Sequence, residues 1–131
     1  MHSLVGVWSS EASGLHYSSS ENETLALRPN GTGWLLFARP DYTDLVQLTW
    51  SPAPAGQVTF AYRSRRETAG STSRRVATHT LRTSVSYRIT EEDTPLAGRA
   101  TLLRLKPAIM LAREFGLQTR DTDAAHAVEG R

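Results

Sequence analysis

The chain has no cysteine, a single lysine (Lys106) and no long apolar run. Without cysteine it can form neither a disulfide framework nor a thiolate metal site. No stretch approaches the roughly 20 apolar residues that a membrane-spanning helix needs. Met1-His2-Ser3-Leu4 lacks the basic start and apolar core of a secretory leader, so a soluble, cytoplasmic protein is expected. The four histidines, His2, His16, His79 and His126, have no metal-ligand spacing, so no metal site is expected. Charge is nearly balanced, at +2 over 131 residues, which argues against a nucleic-acid partner. There is no Gly-x-Ser-x-Gly elbow, no glycine-rich phosphate loop and no pair of acids at a catalytic spacing, and no cofactor is implied. Convincing helical periodicity is also missing.

What remains is alternation. Apolar and polar residues follow one another with period two almost throughout, which is the signal of half-buried strands. It predicts eight strands: Val5–Ser10, Glu23–Arg28, Thr32–Arg39, Leu45–Ser51, Gln57–Arg63, Val76–Thr90, Arg99–Leu105 and Ile109–Thr119. Between them stand turn residues. Asn30-Gly31 tolerates the positive φ of a tight hairpin, and Pro52-Ala53-Pro54-Ala55-Gly56 cannot continue a ladder. A two-residue loop at Asn30-Gly31 would pair Leu27 with Trp34 and Leu25 with Leu36, setting the apolar side chains on one face. Alternation then carries the inward set onward through Ala38, Val46, Leu48 and Trp50. Val58, Phe60 and Tyr62 follow, and then His79, Leu81, Thr83, Val85, Tyr87 and Ile89.

Sequential antiparallel strands with short turns lose their exposed edges by closing, so the expected fold is all-β, an eight-stranded antiparallel up-and-down β-barrel. One domain spans residues 1–120, with a polar tail at 121–131. In such a meander Trp8, Trp34 and Trp50 converge on one end as a plug. The other end receives Ala12–Asn22, Pro40–Asp44 and the arginine-bracketed loop Ser64–Arg75.

Gly6-Val7-Trp8 opens the first strand, and Arg120 directly follows the last. On these two features and the strand meander the chain resembles the lipocalin/calycin superfamily, in a compact bacterial form. The resemblance implies a lipocalin-like barrel in which Arg120 packs on Trp8 as a cation–π cap closing the floor. The family's Thr-Asp-Tyr motif is not found between the sixth and seventh strands; Thr43-Asp44 lies too early.

An eight-stranded barrel can hold one small ligand. The expected cavity is walled by Leu36, Ala38, Val46, Leu48, Phe60, Leu81 and Val85, with Tyr62, His79 and Arg113 as polar contacts. An apolar wall with these few polar groups suits a small hydrophobic molecule with an acidic or polar end. Arg113 shares a face with Phe115 and Leu117; the opposite phase of the last strand would turn Glu114 inward instead. The alternative function is a barrel cyclase or isomerase acting on a hydrophobic intermediate, with His79, Tyr62, Tyr87 and Arg113 as working residues.

Overall fold

The computed structural model describes residues 2–15, 20–76, 82–109 and 112–123. The protein is all-β. Among the described residues the strands are β1 (Gly6–Ser9), β2 (Asn22–Leu27), β3 (Thr32–Arg39), β4 (Tyr42–Ala53), β5 (Gln57–Ala69), β6 (Thr72–Val76), β7 (Arg82–Thr94), β8 (Gly98–Lys106) and β9 (Glu114–Thr119). All pairings are antiparallel. The sheet closes in a ring, because β4 pairs with β5 and β9 pairs back onto β1. The circuit runs β1-β2-β3-β4-β5-β7-β8-β9, and β6 hangs on β5 alone. Among the described residues no helix is long and apolar enough to cross a membrane.

The segment expected as one strand from Val76 to Thr90 is divided between β6 and β7. Gly70, at φ 58°, allows the two-residue turn that pairs Ala69 with Thr72. The expected loop Ser64–Arg75 is therefore a two-stranded ribbon. β5 is long enough to serve two partners: its first residues, Gln57–Ala61, pair with β7, and its last, Arg65–Ala69, with β6.

The first hairpin departs from expectation by one residue. The loop holds three residues, Pro29-Asn30-Gly31, not two. The Gly31 amide donates to Arg28 O at 3.1 Å, and the Arg28 amide donates to Thr32 O at 2.9 Å. Gly31 takes φ 86°, so a type I turn is followed by a left-handed residue, the usual three-residue hairpin. Asn30 Oδ1 fixes it by accepting from the Thr32 amide (3.0 Å) and hydroxyl (2.6 Å). As a result Leu25 faces Leu35, and Ala26 faces Trp34. A slip of one residue exchanges the faces of a strand. Trp34, Leu36 and Ala38 therefore lie on the outer face, a correction to the inward set. Trp34 stays buried, but in a separate outer cluster with Val7 and Ala26, against which Leu36 and Leu45 pack.

For Val46, Leu48, Trp50, Val58, Phe60, Tyr62, Val85, Tyr87 and Ile89 parity holds. One core unites Leu4, Trp8, Leu25, Leu27, Leu35, Val46, Leu48, Trp50, Val58, Phe60, Val85, Leu103, Leu105 and Phe115. Its lower end is capped as the Gly-x-Trp suggested. The Trp8 indole donates to Leu4 O at 3.0 Å, and the Arg120 guanidinium carbon lies 5.4 Å from the indole centroid. Arg120 also donates to the carbonyls of Ser3 and Val5, tying the N-terminal segment beneath the ring. Trp50 donates to Arg28 O at 2.9 Å, with the His2 ring edge-on to it at 5.7 Å. The plug thus holds two tryptophans and a histidine, with Trp34 outside.

Residues after β1 were expected at the upper end. Instead the short 3-10 helix Glu11–Ser13 folds back down the outer wall across β9, and Gly14 O accepts the Leu96 amide at 3.0 Å in the β7–β8 turn.

Candidate functional site

Along the inner face the chemistry changes with height. The lower half is apolar and packed. Val46, Leu48, Phe60 and Val85, all expected in the ligand wall, are buried there as core. Tyr62 marks the transition: it faces Leu48 across the sheet, packs on the edge of the core and is half-buried. Burial raises its phenol above its usual value. It has no hydrogen-bond partner among the described residues.

Above Tyr62 the inner face is charged. A bulge opposite Gln47 and Leu48 inserts an extra residue in β5, so that Val46 faces Arg65 and Asp44 faces Glu67. The buried Asp44 carboxylate receives Arg65 as a fork, with Nε at 2.9 Å and Nη2 at 2.6 Å. Arg65 Nη2 lies 3.3 Å from Glu67, and Arg74 Nη2 lies 2.9 Å from the other Glu67 oxygen. Charge-assisted, bidentate contacts of this kind are the stronger class of hydrogen bond. The Arg74 contact, ahead of burial in size, holds Glu67 below the ordinary carboxylate range. Tyr42 sits beside this group, its phenol raised by burial first and then by Asp44 and Glu67. Its ring lies under Arg39 at 4.7 Å and edge-on to Phe37 at 6.2 Å. In the same row as Asp44, two strands away on β2, buried Glu23 accepts the Ala112 amide at 2.8 Å. Because Arg65 neutralises Asp44, this carboxylate is a clamp and not a free base. Arg65 Nη1 makes no hydrogen bond among the described residues.

This network was not anticipated. Its carboxylate half was legible, since Tyr42 and Asp44 continue the alternation of Val46, Leu48 and Trp50 on β4. The arginine half was not, because Arg65 reaches the inner face only through the bulge.

The remaining expected residues fall elsewhere. His79 and Leu81 lie outside the described residues. Leu36 and Ala38 are on the outer face, so they do not join Val46 and Leu48 in one wall; the three-residue hairpin is the reason. Phe115 lies in the core, which settles the phase of the last strand against Glu114. Arg113, however, precedes β9 and is exposed, so it does not sit beneath apolar walls as expected. It borders a cleft of about 610 Å³ with Arg88, Arg104, Lys106 and Glu114, side chains that lie mostly on the outer face.

That outer face carries a second acid–base cluster. Arg104 bonds Glu92, lies 3.4 Å from Glu114, and shares Glu92 with the Thr90 hydroxyl. The Arg104 hydrogen bond, then that of Thr90, lowers the Glu92 carboxyl from 4.5 to about 2. A carboxylate depressed by folding stabilises the fold above its unfolded pKa and loses that contribution as pH falls through the folded one. The Glu92 contribution should therefore be complete above about pH 4.5 and disappear toward about pH 2. A ¹³C-carboxyl NMR titration reads this directly. Arg104→Gln should return the midpoint toward the ordinary glutamate range, and an unmoved midpoint would show that Arg104 is not the cause.

Among the described residues no group of histidine, cysteine or acidic side chains could hold a metal ion. Searches with this chain against protein-family models, curated sequences and solved structures found no match.

Proposed function

We propose that the ring is a lipocalin-like, eight-stranded up-and-down barrel, extended by the β6 ribbon, and that its interior binds a small, mainly hydrophobic molecule with an acidic or polar end. The observation that carries this reading is Tyr62. Its phenol stands at the boundary between an apolar floor and a charged upper rim, partly stripped of water and with no protein partner among the described residues. A half-buried hydroxyl left this way is a polar contact available to a ligand. The Trp8–Arg120 cap supports the family reading, because it closes one end and leaves the other as the entrance. Toward that end Arg65, paired with Asp44, keeps its Nη1 as a spare hydrogen-bond donor on the same inner face, next beyond Tyr62 past the bulge.

The test is titration with a dansylated fatty acid and with its methyl ester, following probe emission and tryptophan quenching. Trp50 faces Phe60, two positions below Tyr62, so an occupied interior should quench it. The acid should bind more tightly than the ester. Tyr62→Phe keeps the ring and removes the hydroxyl, and should weaken the acid about three- to tenfold. An absence of binding, or an affinity untouched by Tyr62→Phe, would overturn the proposal.

A further inference from the structure

We infer that the outer face of the ring carries a second binding site, separate from the interior, for a small organic molecule ending in a dianionic phosphate monoester. A groove of about 500 Å³ runs over β3, β4 and the β5–β6 ribbon, bordered by Arg28, Arg63 and Arg75 together with Thr32, Gln47 and Ser64. Among the described residues no carboxylate borders it.

Arg63 and Arg75 stand apart from the other arginines of the same ribbon. There Arg65 is neutralised by Asp44 and Glu67, and Arg74 by Glu67. Arg63 and Arg75 make no hydrogen bond or ion pair among the described residues. Their position follows from the backbone. The bulge sets Ser64 opposite Gln47 on the outer face and leaves Arg63 as the additional residue beside it. Arg75 faces Arg66 across the ribbon on that same side, one step from the inward pair of Glu67 and Arg74. Arg28 is buried at the groove's lower end and donates from Nη1 to Thr32 Oγ1 at 3.2 Å.

Arg63 and Arg75 have no counter-charge among the described residues; such like charges repel, and a bound anion relieves that repulsion. Guanidinium forks match the oxygens of a phosphate two at a time, which a single ammonium cannot do. Neutral donors complete the set: the Ser64 hydroxyl, 3.4 Å from Gln47 Oε1, and the Thr32 hydroxyl at the lower rim. A space of about 500 Å³ exceeds what an inorganic phosphate fills and lies in the range of small-molecule pockets, so an organic body accompanies the anion.

Phenyl phosphate is the probe, with phenol and benzoate as its neutral and monoanionic counterparts, measured by isothermal titration calorimetry. The phosphate should bind at one site, benzoate more weakly and phenol not at all. The double variant Arg63→Gln/Arg75→Gln should lower the affinity about a hundredfold, roughly tenfold for each charge-assisted contact. Both side chains are exposed, so an unchanged thermal midpoint should accompany the loss. Arg88→Gln, in the other outer cleft, should leave the affinity as it was. An equal loss with Arg88→Gln would mean attraction to net charge only and would overturn the site. So would phenol binding as tightly as its phosphate, or no binding of phenyl phosphate at all. The dansylated fatty acid should bind the double variant unchanged, so failure of this site and failure of the interior reading are separable.

Discussion

Replacing Trp8 with alanine is expected to remove about 3–5 kcal/mol of stability, the range for deleting a buried aromatic side chain. Trp8 is fully buried, faces Leu25 and Leu117 across its two neighbouring strands, and donates to Leu4 O. Its removal opens a cavity at the lower end, leaves the Leu4 carbonyl without its donor and takes away the surface on which Arg120 rests. Arg120 also holds the Ser3 and Val5 carbonyls, so the N-terminal segment loses one side of its seat. Against a total stability of about 5–15 kcal/mol for a domain of this kind, the loss brings the fold close to its threshold. Urea denaturation followed by circular dichroism measures it, provided the slope of the transition is unchanged. Trp8→Phe keeps most of the ring without the donor and should fall between the two. A loss below about 1 kcal/mol for the alanine variant would show that the lower end is not a packed cap.

How far the sequence foretold this molecule depends on what decides each feature. Strand existence is decided by alternation, which is local: β1, β2, β3 and β8 appear within a residue of where alternation placed them, while β4 and β5 run on beyond their expected ends. Closure into a ring follows from the same local signals, because consecutive hairpins leave the first and last strands as the only edges to join. The Trp8–Arg120 contact was expected from the resemblance alone, on Gly6-Val7-Trp8 and Arg120, and the two side chains do meet.

Features decided by a single extra residue were not legible. Pro29-Asn30-Gly31 supports either a two- or a three-residue loop on composition. The choice rests on the Asn30 side chain capturing Thr32, and it turns Trp34, Leu36 and Ala38 from the inner face to the outer. The β5 bulge has the same character. It turns Arg65 inward toward Asp44, while Arg63 and Ser64 border the outer groove. No period-two pattern announces a bulge, since the pattern merely changes phase there. The split between β6 and β7 has a third cause: β5 pairs with both, and a strand's capacity for two partners is a property of the assembled sheet.

Gly116→Val should be the second severe substitution, for a reason the apolar pattern hides. Gly116 stands in β9 between Ser9 of β1 and Leu102 of β8, with its missing side chain on the outer face. A Cβ built there meets the Ala12 carbonyl and the Ser13 amide, which are backbone atoms and cannot turn aside as a flexible side chain would. The glycine is therefore what lets the Glu11–Ser13 turn lie flat on the wall, and Leu102 opposite it is fully buried. Overpacking a core ordinarily costs about 1–3 kcal/mol when neighbours can shift. Here relief requires lifting the whole 11–15 segment, so a loss of about 3 kcal/mol is expected. The lift would also break the Leu96 amide bond to Gly14 O and leave the β7–β8 turn without its tether. Hydrogen exchange distinguishes this from uniform destabilisation. In Gly116→Val the Leu96 amide should lose protection first, while amides of β4 and β5, on the opposite side of the ring, keep theirs under native conditions. If Leu96 and the β4–β5 amides lost protection together, the substitution would be acting on the whole fold and the docked turn would not be the element that Gly116 serves.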